Sequence, residues 1–181
     1  MNTILFSDVF GTTPALIKLK EQLGAISIID PYEGEYMSFN NEADAYSYFI
    51  TNVGLDRYVS NILKVLSNLQ CKTTLIGFSI GASAIWRISQ NNKNGLIEQA
   101  FCFYGSQIRN YIQITPCFKT HLVFPKSESH FDVSELIDQL VIKQNVDITQ
   151  VEYLHGFMNS HSLNFNDTGY SEGIESILIR N

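Results

Sequence analysis

The segment at residues 73–88 constrains this chain most, because a predicted strand meets a predicted helix there in a Gly-x-Ser-x-Gly pattern at residues 77–81. Residues 73–76 are apolar and β-branched, as is typical of a buried strand, and a helix is predicted from Gly81 onward. A serine in such a turn, here Ser79, is held in a strained backbone with its hydroxyl above the sheet. The helix amides that follow it point toward any negative charge that forms there. The pattern predicts a nucleophile, although an ordinary turn with a capping serine also fits it.

Predicted strands and helices alternate along the rest of the chain. We predict strands at 3–7, 25–29, 73–76, 99–104, 120–124 and 148–154, and helices at 14–23, 41–50, 56–69, 81–88, 133–140 and 171–179. Strict alternation of this kind predicts one α/β domain over residues 1–181, with a doubly wound, mainly parallel sheet of about six strands and helices on both faces. Ligand sites are then expected beyond the carboxyl ends of the strands.

Composition and charge exclude several classes of protein. The 181 residues are 45% hydrophobic and 17% charged, as expected of a compact globular protein, and the net charge of −6 argues against a nucleic-acid partner. No apolar stretch is long enough to span a membrane, and the amino terminus lacks the features of a signal peptide, so a cytoplasmic location is expected. The three cysteines have apolar surroundings and no metal-ligand spacing, which predicts buried free thiols. No phosphate-cradling loop or metal cluster is recognised, so we expect no cofactor and no metal.

Three residues placed after predicted strands have the chemistry of a hydrolytic site. A serine hydroxyl needs a base, and that base needs an acid to orient its imidazole. Ser79, Glu128 and His155 follow one another in the order serine, acid, histidine, which is the order expected for an α/β-hydrolase. Asp132 competes with Glu128 for the acid role, although it also suits a helix N-cap. Three further histidines compete with His155, namely His121, His130 and His161.

Over nearly its whole length the chain resembles the dienelactone hydrolase family of α/β-hydrolases. The resemblance rests on an Asp-Val-Phe-Gly loop at 8–11, the elbow at 77–81, a Phe-Tyr-Gly strand end at 103–105, an acid loop at 124–128 and a His-Gly-Phe motif at 155–157. It implies Ser79 as nucleophile, Glu128 as acid, His155 as base and an oxyanion hole from two backbone amides. Those amides belong to Val9 and Ile80.

The resemblance also has implications for the substrate. It implies a small carboxylic ester, thioester or lactone, with no cofactor. Asp8, Phe10, Tyr104 and Arg109 are candidates for the substrate side of the site, Asp8 because the family's equivalent acid faces the nucleophile.

The chain departs from the family at three places. The dienelactone hydrolases proper carry cysteine at the elbow, where this chain has Ser79, so a general esterase-type relative is favoured. Pro125 and Glu128 stand where glycine and aspartate are usual. The short chain also leaves little material for a lid.

Two other functions remain open at this stage. One is a non-catalytic α/β-hydrolase homologue that binds a small ligand or a protein partner. The other is a flavodoxin-like binding domain in which the Gly-x-Ser-x-Gly pattern is accidental, although such a domain does not need a histidine after its last strand. Oligomeric state is not predicted by any of these patterns.

Overall fold

A computed structural model describes residues 2–180 and contains one six-stranded sheet flanked by helices. The strands are β1 (Asn2–Phe6), β2 (Ser27–Ile29), β3 (Thr73–Phe78), β4 (Ile97–Phe103), β5 (Lys119–Phe124) and β6 (Val146–Gln150). The helices are α1 (Pro14–Gln22), α2 (Glu42–Asn52), α3 (Gly54–Leu66), α4 (Ile80–Ile88), α5 (Val133–Leu140) and α6 (Asp167–Arg180), with a 3₁₀ segment at Ser106–Tyr111.

The sheet has the order β2-β1-β3-β4-β5-β6, and every neighbouring pair is parallel. The order reverses between β1 and β3, so the chain winds outward in both directions from the centre. This confirms the predicted doubly wound sheet and the predicted number of strands. The site expected at a reversal of strand order therefore lies at the carboxyl ends of the central strands, where Ser79 follows β3.

Two apolar cores cover the two faces of the sheet. One face packs against α2, α3, α4 and α5, with Phe49, Ile62, Trp86 and Leu136 among its buried side chains. The other packs against α1 and α6, which contribute Leu19 and Ile177. Because β3 is buried along its whole length, it reads in the sequence as a continuous apolar run, as a central parallel strand should.

Some predicted details differ from the structure. The last strand ends at Gln150 and not at residue 154, so His155 lies in a loop five residues beyond it. The last helix begins at Asp167, because Asn166 Oδ1 accepts a hydrogen bond from the Gly169 amide at 2.9 Å and caps it earlier than the apolar pattern suggests. The prediction of buried cysteines was wrong for Cys71 and Cys117, which are exposed.

Among the helices of residues 2–180, none combines the length and the apolar character of a membrane span.

Candidate active site

Ser79 occupies a strained turn between β3 and α4. Its backbone has φ 51° and ψ −111°, a conformation that non-glycine residues rarely adopt. The Ser79 amide donates to the Phe103 carbonyl at 2.9 Å, and the Ser83 amide donates to the Ser79 carbonyl at 3.0 Å. These bonds to β4 and α4 hold the turn in place, so the strain persists in the folded protein.

The two glycines of the elbow are required by close packing. A Cβ on Gly81 would lie 2.6 Å from the Ser7 carbonyl oxygen, and one on Gly77 would lie 2.7 Å from the Ala82 amide nitrogen. Both neighbours are backbone atoms, which cannot move aside cheaply. Glycine at these positions is what allows α4 to begin directly above β1 and β3.

The structure brings Ser79, His155 and Glu128 into one hydrogen-bonded chain. His155 Nε2 lies 3.0 Å from Ser79 Oγ, and His155 Nδ1 lies 2.7 Å from Glu128 Oε1. The imidazole is mostly buried, and the Glu128 side chain is only 9% exposed. Both distances are within the range for a nucleophile, its base and an orienting acid.

Two neighbouring loops carry Glu128 and His155. The loop after β5 carries Glu128, and it is tied to the loop after β6 by the Lys126 amide, which donates to the Tyr153 carbonyl at 2.8 Å. In the second loop, Asn164 Nδ2 donates to the His155 carbonyl at 2.9 Å. Gly156 follows with φ 85°, a left-handed conformation that favours glycine, and a Cβ there would also meet the Ser162 side chain.

The competing residues lie elsewhere. Asp132 caps α5, where its Oδ1 accepts hydrogen bonds from the Ser134 hydroxyl and from the Glu135 and Ser134 amides, and these bonds lower the pKa of the carboxyl group. His121 is buried beside α6, and the His161 ring packs against Phe10 with centroids 5.6 Å apart. His130 also lines the cleft described below, but it is the His155 ring and not that of His130 that is hydrogen-bonded to Ser79 Oγ and Glu128.

The predicted oxyanion-hole residues, Val9 and Ile80, both line the cleft next to Ser79. Ile80 is the first residue of α4, so its amide has no partner within the helix. The Val9 backbone is fixed from behind, because Tyr32 donates its hydroxyl to the Val9 carbonyl at 2.6 Å. Nothing in the sequence indicated that Tyr32 has this role.

Asp8 carries a second carboxyl group near His155. It accepts hydrogen bonds from the Phe10 amide at 2.9 Å and from Asn159 Nδ2. Burial raises its pKa from 3.8 to about 6, although both hydrogen bonds and the nearby His155 act in the opposite direction. Asn159 belongs to the loop that carries His155, so this contact joins the first and last parts of the site.

Opposing effects act on the pKa of His155. Burial lowers it, but the hydrogen bond and charge of Glu128 raise it, and the charges of Glu42 and Asp8 raise it further. The net result is a pKa above the ordinary 6.5. The carboxylates around the ring therefore stabilise the imidazolium that forms when the base accepts a proton.

A cleft of about 330 Å³ opens above Ser79 and His155. Of the four predicted substrate-side residues, Arg109 lines it, while Asp8 and Tyr104 line a smaller cavity beneath it. Tyr104 is buried with its ring centroid 5.0 Å from that of His155, and Phe10 is buried against His161. Phe10 and Tyr104 are thus buried side chains that are absent from the lining of the cleft.

Sequence analysis did not identify Glu42 as part of the site. This first residue of α2 lines the cleft, with Oε1 3.9 Å from His155 Nε2. A helix was predicted from residue 41, but the preceding segment at 32–40 has no period that predicts where the helix lies. The search for metal-binding groups of three or more His, Cys, Asp or Glu side chains found none in residues 2–180.

Solved structures with this fold define its class. A protein from Klebsiella pneumoniae subsp. pneumoniae assigned as a dienelactone hydrolase matches with a TM-score of 0.74 and 11% identity, covering 98% of this chain and 84% of that one. The dienelactone hydrolase-like promiscuous phosphotriesterase P91 from metagenomic libraries matches with a TM-score of 0.66 and 13% identity, covering 97% of this chain and 83% of that one. Est1E from Butyrivibrio proteoclasticus matches with a TM-score of 0.62 and 10% identity, covering 98% of this chain and 86% of that one. The fold is that of the α/β-hydrolases, in the form seen in dienelactone hydrolase-like proteins.

A sequence relative identifies the particular family. Protein YczH of Bacillus subtilis (strain 168), itself uncharacterised, is 30% identical over 173 residues, which cover 90% of this chain and 83% of YczH. The chain belongs to the same family as YczH. No family model matches the sequence.

Proposed function

We propose that this protein is a serine hydrolase that cleaves a small carboxylic ester, thioester or lactone through an acyl-enzyme on Ser79. One observation carries the proposal: Ser79 Oγ, the His155 ring and Glu128 form a continuous hydrogen-bonded chain at the mouth of an open cleft. An ordinary capping serine would need neither the histidine nor the acid. That the solved neighbours include an esterase and dienelactone hydrolase-like proteins is consistent with this chemistry.

The mechanism follows from the positions of these groups. His155 Nε2 accepts the proton of Ser79 as Oγ attacks the substrate carbonyl, and Glu128 holds the ring in the tautomer with its proton on Nδ1. The amides of Val9 and Ile80 donate to the oxyanion of the tetrahedral intermediate. His155 then passes its proton to the leaving group. Water, activated by the same base, releases the acid from Ser79.

The decisive experiment combines turnover with covalent labelling. Wild-type protein should hydrolyse p-nitrophenyl acetate and should gain the mass of a fluorophosphonate on Ser79. Ser79→Ala should lose both, while the matched control Ser60→Ala, on the exposed side of α3, should retain both. Wild-type turnover in Ser79→Ala would contradict the proposal. An unlabelled, inactive wild-type protein would instead favour the non-catalytic binding function.

A further inference from the structure

Glu42 and Tyr46 place a carboxylate and an aromatic ring on one wall of the cleft, and the hydrolysis mechanism itself requires neither group. Both lie on α2 four residues apart, so they share one face of the helix, and both line the cleft beside Ser79. The Glu42 side chain is 45% exposed, and its Oε1 lies 3.9 Å from His155 Nε2, the same nitrogen that faces Ser79 Oγ at 3.0 Å. A carboxylate thus lies close enough to Ser79 to contact a substrate group next to the bond that Ser79 would attack.

The other charged groups around the cleft are already engaged. Glu128 is bonded to His155, and Asp8 lies below the cleft against Asn159. On the opposite wall, Arg109 donates to the Ser106 carbonyl at 2.6 Å and stacks over the Phe131 ring at 5.0 Å. These contacts hold the guanidinium against its own wall. Glu42 therefore dominates the charge on the α2 side of Ser79.

From this arrangement we propose that the wall formed by Glu42 and Tyr46 selects esters or thioesters that carry a substituted ammonium group near the scissile bond. A carboxylate attracts such a cation, and an aromatic face such as that of Tyr46 adds a cation–π contact. The amino-terminal dipole of α2 opposes a cation here, but it amounts to about half a charge against the full charge of Glu42. The inference deepens the proposed function and rests on it.

A matched pair of thioesters tests the selection. Acetylthiocholine and its neutral carbon analogue 3,3-dimethylbutyl thioacetate have nearly the same shape and differ in charge. We expect wild-type protein to favour the cation in kcat/KM, and Glu42→Gln to reduce the cation-to-neutral ratio by about threefold to tenfold, as expected for one partly screened charge. Raising the ionic strength should reduce the wild-type ratio in the same direction.

Two further variants separate selection from other effects of the substitution. Glu42→Asp keeps the charge and should retain part of the preference. Glu175→Gln, the same change on exposed α6, should leave the ratio at the wild-type value, because it alters only the net charge. Because the charge of Glu42 also raises the pKa of His155, Glu42→Gln should shift the pH profile for both thioesters alike, and the ratio of the two rates removes this shared effect. If Glu42→Gln changes both rates equally and leaves the cation-to-neutral ratio at the wild-type value, the proposed selection is wrong.

Labelling distinguishes failure of this inference from failure of the proposed function. Phosphonates carrying the same cationic and neutral groups should modify Ser79 with a rate ratio that also falls in Glu42→Gln. Labelling of Ser79 with a ratio unaffected by Glu42→Gln would overturn the charge selection and leave the hydrolase proposal intact. No labelling by either phosphonate, together with no turnover, would overturn both.

Discussion

At the scale of single residues, the site depends on how carboxylates balance the burial of one imidazole. Burial lowers the pKa of His155, and three carboxylates together raise it above 6.5. Only Glu128 among them is hydrogen-bonded to the ring; Asp8 and Glu42 act through charge. The two kinds of contribution can be separated by substitution.

We expect kcat/KM to rise with pH as His155 loses its proton, with an apparent pKa above 6.5 in the wild-type protein. Glu128→Gln removes the largest raising effect, so burial should then bring this pKa below the wild-type value, and the rate should fall by about 10²-fold or more because the imidazolium is less stabilised. The measurement is the pH dependence of kcat/KM on one activated ester. A flat profile between about pH 5 and pH 9 would show that His155 is not the working base.

Asp8→Asn provides the matched comparison. It removes a charge near His155 but leaves the Glu128 bond in place, so the apparent pKa should fall by less than in Glu128→Gln, with a smaller loss of rate. Because the pKa of Asp8 is about 6, this carboxyl group titrates in the same range as the base. The wild-type profile should therefore be broader than that of Asp8→Asn. Equal shifts in the two variants would contradict the distinction between bonded and distant carboxylates.

The strained backbone of Ser79 makes a separate prediction about stability. Ser79→Gly removes the Cβ that makes φ 51° unfavourable, whereas Ser79→Ala keeps it. Both variants should be inactive, but Ser79→Gly should be more stable than Ser79→Ala by about 1 kcal/mol, measured by urea denaturation. Glycine also gains entropy in the unfolded chain, which offsets part of the strain relieved, so the expected difference is the net effect. A Ser79→Gly protein no more stable than Ser79→Ala would contradict the prediction that relief of strain exceeds this entropy.

At the scale of elements, α6 supports the loop that carries His155. A Cβ on Gly169 would lie 2.7 Å from the Tyr153 ring and 2.8 Å from the Phe157 ring, and one on Gly173 would meet the Met158 thioether at 2.6 Å. The helix therefore packs directly onto the residues that flank and follow His155. Two glycines four residues apart provide the space for that contact.

Gly169→Ala should weaken this packing more than Gly173→Ala. The first substitution presses on two aromatic rings, and the second on a flexible methionine that can adjust. We expect Gly169→Ala to lower the free energy of unfolding by about 1–2 kcal/mol, despite the higher helix propensity of alanine, and to reduce kcat through the displaced His155 loop. Thermal melts and turnover of both variants test the order. A Gly169→Ala protein at least as stable as Gly173→Ala would contradict it.

At the scale of the whole molecule, a buried histidine joins the sheet to the last helix. His121 on β5 stacks on Phe101 with centroids 4.7 Å apart, and its Nδ1 accepts a hydrogen bond from Arg180 at 2.9 Å. Burial lowers the pKa of His121 from 6.5 to about 4, and the charges of Arg180 and Lys119 act the same way. The folded protein therefore holds this ring neutral.

This neutral histidine should make folding sensitive to acid. Above about pH 6.5 the ring is neutral in both the folded and the unfolded protein, so it has no effect on the free energy of unfolding. Between about pH 6.5 and pH 4 only the unfolded chain takes up the proton, so the free energy of unfolding falls as the pH falls. The full effect is about 3 kcal/mol at most. His121→Gln keeps an acceptor for Arg180 without titrating, so the difference in free energy of unfolding between it and wild type should change across this window.

His161→Gln, at an exposed histidine, is the matched control for that measurement. It should show no such change relative to wild type. Asp8 and His155 have raised pKa values, so their titration increases the free energy of unfolding as the pH falls, opposite to the effect of His121. The test is therefore the difference between variant and wild type, and not the pH dependence of the wild-type protein alone. If the difference in free energy of unfolding between His121→Gln and wild type stays constant from about pH 7.5 to pH 4, the prediction of a neutral buried His121 is wrong.

Much of this molecule could be predicted from local patterns in its sequence. The alternation of apolar runs with helical patterns predicted the doubly wound sheet, since the central strands of such a sheet are covered on both faces and are mostly apolar. The elbow was visible because its backbone admits only glycine at residues 77 and 81, and His155 because Gly156 and Phe157 mark the turn that follows it. Such features are local: a backbone conformation or a helix face restricts residues that are near one another in the chain.

The contacts between distant segments left weaker signals. The resemblance implied Glu128 as the partner of His155, and Asp132 also suits a helix N-cap, but only the folded protein shows which of the two carboxylates meets the ring. Glu42 reaches the same ring from a helix that follows an aperiodic segment, so nothing in its own neighbourhood indicated its position. A charged or polar side chain gains its partner only when separate elements pack together, and the geometry of that packing is set by the whole core. The doubly wound parallel sheet and the elbow were therefore predictable from the residues themselves, whereas the approach of Glu42 to His155 required the folded protein.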